Sequence, residues 1–189
     1  MTTSQVYPVK EDTLLLLEAA ISECRPGERV LELGCGSGHI ACHLSRIADV
    51  IATDINPFAV RAAHALGIEV VRADLFAGIC GQFNLVIFNP PYLPTAPEDR
   101  IDDWMEFALD GGPDGKVVIA RFIQDAGRVL APGGRFLVLV SSLTGITETC
   151  ALIEKEGFSR EVVARMRIEG EDLVVVKGYK VKNEGGFVW

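Results

Sequence analysis

The stretch Arg29-Val30-Leu31-Glu32-Leu33-Gly34-Cys35-Gly36-Ser37-Gly38 decides the fold. Its first five residues read as a buried strand, its glycines let backbone approach a ligand closely, and a helical pattern follows. Together they form the opening strand–loop–helix unit of a sheet that binds its ligand at the carboxyl edge. A dinucleotide-binding loop would carry its third glycine one place later, in G-x-G-x-x-G, but His39 stands there. The spacing here is G-x-G-x-G, so a nicotinamide-dependent oxidoreductase is set aside.

Outward from this unit, Val/Ile/Leu-rich runs alternate with helical patterns, the signature of an α/β fold on a mostly parallel sheet. Seven strands are predicted: 29–33, 50–53, 69–72, 85–88, 135–140, 162–167 and 173–179. Asn56 as N-cap and Pro57 at the first helical position open a helix that Gly67 closes. Between Lys116 and Leu130, the residues Ile119, Phe122, Ile123, Ala126, Val129 and Leu130 share a face at helical spacing, before Pro132-Gly133-Gly134 stops the helix. A short turn at Glu169-Gly170-Glu171 makes the last two strands an antiparallel hairpin on the sheet edge. The expected architecture is therefore a Rossmann-like, seven-stranded α/β sheet with helices on both faces. Residues 1–180 read as one domain and 181–189 as a tail without periodic pattern, as in a disordered terminus. Residues 93–115 form a connection too long for an ordinary loop, and such loops tend to be functional.

Three acidic positions extend the glycine loop into a pocket. Glu32 stands one residue before the end of the first strand, Asp54 ends the second where a carboxylate can accept both hydroxyls of a ribose, and Asp74-Leu75 follow the third. There, a side-chain acceptor and a backbone N–H can read the edge of an adenine. With no phosphate-binding lysine nearby, these residues describe an adenosine pocket.

The tetrapeptide Asn89-Pro90-Pro91-Tyr92 leaves the fourth strand at the same edge. Consecutive prolines fix their own φ and hold Asn89 extended, so its side-chain oxygen and the Pro90 carbonyl point into the cleft. Two fixed acceptors then face one NH₂ group, and the Tyr92 ring offers a stacking face for a planar substrate. An amide nitrogen is a poor nucleophile that gains positive charge as it attacks, and the acceptor oxygens stabilise that charge. Neither a metal nor a general base is needed.

With these motifs the chain resembles the class I S-adenosylmethionine methyltransferases, and among them the HemK-like protein-glutamine N5-methyltransferases. Glu11-Asp12-Thr13 ahead of a leucine run and the 109–115 stretch LDGGPDG extend the likeness over nearly the whole chain. About 28 residues precede the first strand, so the chain is similar to the shorter archaeal and eukaryotic branch rather than to bacterial members with a helical recognition domain. The resemblance implies strand order 3-2-1-4-5-7-6 and S-adenosylmethionine as cofactor, released as S-adenosylhomocysteine, with no metal. Its cofactor site would comprise Thr13, Glu32, Gly34, Gly36, Gly38, Asp54, Asp74, Leu75 and Asn89, with Thr13 near the methionine moiety. Its catalytic set would be Asn89, Pro90, Pro91 and Tyr92. The implied substrate is the glutamine of the Gly-Gly-Gln loop in a class I peptide release factor, and the implied partner a small zinc-binding activator protein forming a heterodimer.

Composition narrows the rivals. The chain has 189 residues, 49% of them apolar, and a formal net charge of −8. That charge disfavours a partner held through phosphates, and with it the rival reading of methylation on an exocyclic amine of adenine or guanine in RNA or DNA. Residues 93–115 carry seven acids against Arg100 alone, which favours a basic protein surface near the site. A non-catalytic scaffold is the other rival, and the intact N-P-P-Y weighs against it. No apolar run reaches the length of a membrane span, no signal peptide opens the chain, and five scattered cysteines fit reduced thiols, so a cytoplasmic location is expected. Cys35, His39 and His43 recur every four residues but read as packed or solvated side chains rather than a metal site. Ser141 and Ser142 lack a nucleophile-elbow context.

Overall fold

In the computed structural model, described here for residues 5–96 and 103–180, the elements run in the order α1 (Glu11–Glu23), β1 (Arg29–Leu33), α2 (His39–Leu44), β2 (Asp49–Asp54), α3 (Pro57–Ala65), β3 (Glu69–Arg72) and β4 (Phe83–Phe88). Then come α4 (Trp104–Phe107), α5 (Val117–Val129), β5 (Leu130–Ser141), α6 (Ile146–Lys155), β6 (Ser159–Ile168) and β7 (Glu171–Tyr179). The strands form one sheet in the order β3-β2-β1-β4-β5-β7-β6. Pairings from β3 to β5 are parallel, whereas β7 pairs antiparallel with both β5 and β6. The expected order and C-terminal hairpin are both present. Residues 181–189, read from sequence as a tail, lie outside the described residues.

Alternation along β1 assigns its two faces. Val30 packs with Leu15, Leu16 and Ala20 of α1 and with Leu44 of α2, while Leu31 and Leu33 face the α5 side. There Phe122 stacks on Phe76 and meets Phe136 edge-on, and Phe136 meets Phe158 in the same way. Such offset and edge contacts satisfy the ring quadrupoles while the rings exclude water. The buried face of α5 is Ile119, Phe122, Ile123, Ala126 and Val129, the stripe its spacing predicts. In α3 the Asn56 side chain accepts the Phe58 N–H at 2.8 Å, as an N-cap should.

One expectation is corrected. Pro132-Gly133-Gly134 does not separate α5 from the fifth strand: β5 begins at Leu130 and passes through these residues with a register irregularity opposite Phe83–Leu85. Gly134 makes this possible, because a Cβ there would sit 2.8 Å from the Phe83 carbonyl. The described part of the 93–115 connection carries regular structure. It holds the one-turn α4, and Leu93 bridges Asp110 in parallel.

Candidate active site

The carboxyl ends of β1, β2 and β4 and the turn after β3 converge on a cavity of about 360 Å³ bordered by Gly34, Gly36, Asp54, Asp74, Leu75, Phe88, Asn89 and Pro91. Gly34, at φ +60, brings backbone over the Phe88 ring, which a Cβ would meet at 3.3 Å. Gly38 borders none of the described cavities at this edge; its backbone packs on Ala63, where a Cβ would lie 3.0 Å away, so it serves the fit of α2 against α3.

Asp54 is buried, and both its oxygens are engaged. One accepts the Gly36 N–H and the other the Asn56 N–H, each at 2.8 Å. Burial raises its pKa, and the backbone N–H groups pull in the opposite direction. Glu32 is buried too, and its Oε2 accepts the Ala41 N–H at 2.8 Å, tying β1 to α2. Burial pushes its pKa up to about 8, with the Asp54 charge adding to the shift. Glu32 and Thr13 border a smaller void of about 30 Å³ beside the glycine loop. Asp74 is exposed and held by Arg121 at 2.8 Å. After it, Leu75 takes φ +48, the one non-glycine residue with positive φ among those described. Such a conformation costs a branched side chain of order 1–3 kcal/mol, and strain of this kind clusters at ligand sites.

On the other flank, Asn89 donates its Nδ2–H to Asp12 Oδ2 at 3.1 Å. Its Oδ1 is buried and has no hydrogen-bond partner among the described residues. Asp12 also accepts from the Tyr7 hydroxyl at 3.2 Å, from the Thr13 N–H at 2.6 Å and from the Thr13 hydroxyl at 3.1 Å. A third cavity, of about 150 Å³, is bordered by Tyr7, Lys10, Asp12, Asn89, Pro90, Tyr92 and Leu109. Asn89 and Tyr7 thus border all three cavities. Burial, followed by the charges of Glu171 at the start of β7 and of Asp12, raises the pKa of the Tyr92 hydroxyl.

The segment after the tetrapeptide explains the glycines of 109–115. Leu93 N–H donates to Leu109 and Gly111 N–H donates back to Leu93, both at 2.9 Å, laying this segment alongside the tetrapeptide. At Gly115, φ is +72 and any Cβ would run into the Tyr92 carbonyl. Trp104 and Phe107 of α4 reach the rim of the large cavity, and Arg72 stacks on the Trp104 ring.

The predicted cofactor residues, Gly38 apart, and the tetrapeptide therefore meet along one edge. Tyr7, Asp12 and Glu171 have no site role in the sequence reading: Asp12 enters there only within the Glu11-Asp12-Thr13 motif, and its contact with Asn89 crosses 77 positions. Among the described residues no three His, Cys, Asp or Glu side chains converge to hold a metal ion. The His39 and His43 rings meet at a tilt with centroids 4.5 Å apart, and Cys35 is buried. Ser141 Oγ accepts the Leu143 N–H and Ser142 Oγ the Asp172 N–H, both structural bonds.

Comparison with known proteins agrees with this geometry. The family described as methyltransferase small domain matches residues 9–104. A Methanocaldococcus jannaschii protein, provisionally named a protein N5-glutamine methyltransferase, is 37% identical over 185 residues, covering 94% of this chain and 93% of the relative. The release factor glutamine methyltransferase of Deinococcus radiodurans is 38% identical over 146 residues, 68% of this chain and 52% of the relative, so the match spans about half of that enzyme. In the solved E. cuniculi Mtq2-Trm112 complex, described as responsible for methylation of the eRF1 termination factor, one chain superposes with a TM-score of 0.80 at 32% identity, covering 94% of this chain and all of that one.

Proposed function

The chain belongs to the small-domain methyltransferases, in the family whose members include the protein-glutamine N5-methyltransferases, and from that premise we propose that it methylates the side-chain amide nitrogen of the glutamine in a release factor's Gly-Gly-Gln loop. The observation that carries this reading is Asn89 Oδ1, a buried acceptor without a partner among the described residues, on a residue that borders both cavities. An unpaired buried acceptor costs roughly 1–3 kcal/mol, which an incoming N–H relieves.

S-adenosylmethionine, when bound, supplies an electrophilic methyl group on a sulfonium. The cavity of about 360 Å³ suits its adenosine. Asp54 retains lone pairs toward the ribose hydroxyls beyond those given to Gly36 and Asn56. Asp74 and the Leu75 N–H lie where an adenine edge would, and Gly34 and Gly36 admit the ligand close to backbone. Thr13 and Glu32 sit at the methionine end, and Gly38 supports the loop from behind. On the acceptor side, Asn89 Oδ1 and the Pro90 carbonyl accept the two N–H bonds of the glutamine amide, which fixes the nitrogen lone pair toward the methyl donor. The same oxygens stabilise the positive charge that nitrogen develops. Pro91 stiffens the exit, and the half-buried Tyr92 flanks the amide plane. No metal has a part in this scheme.

A small zinc-binding partner belongs to the same reading. The outer edge of β3 pairs with no other strand among the described residues, and the exposed apolar Leu66 and Val71 beside it suit a protein surface. No described helix is long and apolar enough to cross a membrane, and action on a translation factor would place the enzyme in the cytoplasm. The test is mass-spectrometric mapping of methylation after incubating the protein, with and without that partner, with S-adenosylmethionine and a class I release factor. Methyl on the Gly-Gly-Gln glutamine supports the reading; measured cofactor binding without protein methylation would redirect the search to nucleic-acid amines.

A further inference from the structure

We infer that Asp12 is a positioning residue that sets which end of the Asn89 amide faces the acceptor. This deepens the proposed function and rests on the role given there to Asn89. An ionised carboxylate can only accept hydrogen bonds, so the Asn89 atom 3.1 Å from Asp12 Oδ2 must be the nitrogen. The oxygen is thereby turned the other way; it is buried, has no partner among the described residues, and belongs to a residue that borders three cavities. With the amide reversed, an NH₂ would confront the NH₂ of a glutamine, donor against donor. Asp12 is itself over-determined. It is 4% exposed, and its remaining acceptor positions are filled by the Tyr7 hydroxyl, the Thr13 N–H and the Thr13 hydroxyl. Its carboxylate is consequently locked in plane, and α1 delivers it to the end of β4 from 77 positions away.

An unusual ranking of substitutions follows. Asp12→Asn is nearly isosteric and keeps the packing, yet it can offer its own NH₂ to Asn89 Oδ1 and so stabilise the reversed amide. It should lower the methyl-transfer rate at saturating cofactor and substrate by about 10- to 100-fold, at least as much as Asp12→Ala. A residue needed only for packing or folding would give the opposite ranking.

The experiment is a double-mutant cycle of single-turnover methyl transfer on Asp12→Asn and Asn89→Ala, with amide hydrogen exchange of the Asn89 side chain followed by NMR in the protein without substrate. The expected result is a large loss for Asp12→Asn alone and less than a twofold further loss when Asn89 is already alanine. The Asn89 side-chain protons should exchange at least tenfold more slowly than those of a free asparagine amide, and this protection should fall in Asp12→Asn. Additive losses, an active Asp12→Asn protein, or unprotected Asn89 protons in the wild type would overturn the assignment. The exchange measurement on the wild type needs neither a substrate nor a folded variant. A wild type that methylates no release factor would therefore count against the proposed function, while the protection still decides the role of Asp12.

Discussion

The two halves of the binding edge are built on opposite rules. On the cofactor side the buried carboxylates are satisfied before any ligand arrives: Asp54 holds two backbone N–H groups and Glu32 a third. On the acceptor side the Asn89 nitrogen is tied to Asp12 while its buried oxygen has no partner among the described residues. The cofactor half thus spends its polar groups on holding its own loop rigid and can bind with little rearrangement. The acceptor half withholds one strong acceptor from the fold, so that its interaction becomes available to the substrate and to the charge developing on it. Stability and turnover should separate between the halves.

The sharpest test is Asn89→Ala. Turnover should fall by on the order of 10²–10³-fold, with cofactor affinity nearly intact and a melting temperature within a few degrees of wild type, because the change removes one bond from the fold, Nδ2–H to Asp12, and the oxygen has no partner among the described residues. Asp54→Ala should behave differently. Cofactor titration should weaken by roughly 1.5–3 kcal/mol, about 10- to 150-fold, and the melting temperature should drop as well, since the Gly36 and Asn56 N–H groups lose their acceptor. If Asn89→Ala unfolds the protein while Asp54→Ala leaves the melt untouched, the contrast between the halves is wrong.

Glu32 gives the contrast a pH dependence. Its folded-state pKa lies near 8, above the ordinary value of 4.5. The folded chain thus holds a proton that the unfolded chain releases at lower pH. Glu32 therefore contributes full stability below about pH 4.5 and progressively loses that contribution as pH climbs to 8. The difference between wild-type and Glu32→Gln melting temperatures should move against the wild type across this window; a difference independent of pH would show that Glu32 is ionised in the fold. The smallest effect belongs to Arg121→Ala. Its ion pair with Asp74 is half-exposed, so stability should change by less than about 1 kcal/mol and cofactor affinity by less than about threefold in thermal melts and titrations.

Much of this edge is legible in the residues themselves, because its chemistry is local. Gly34 and Gly36 follow a strand, Asp54 ends one, and the prolines of the tetrapeptide dictate their own backbone. The hairpin and α3 are legible for the same reason, through Gly170 and the Asn56-Pro57 cap. Long-range contacts are silent in sequence: Asp12 and Glu171 look like ordinary acids at element ends until folding brings them to Asn89 and Tyr92. The start of β5 misleads because Pro132-Gly133-Gly134 resembles a terminator, while the close approach of the Phe83 carbonyl is what requires glycine there. The one-turn α4 is too short to leave a periodic pattern.

Helix α1 also works as a strut. Its thirteen residues span about 20 Å. At one end Asp12 grips Asn89; at the other Glu23 is clamped by Arg135 and by Lys177, with Arg135 also held by Glu28 at the opposite edge of the sheet. A rod pinned at both ends fixes its length and its pitch together, so the anchorage at the foot of the sheet calibrates the aim of the amide at its head.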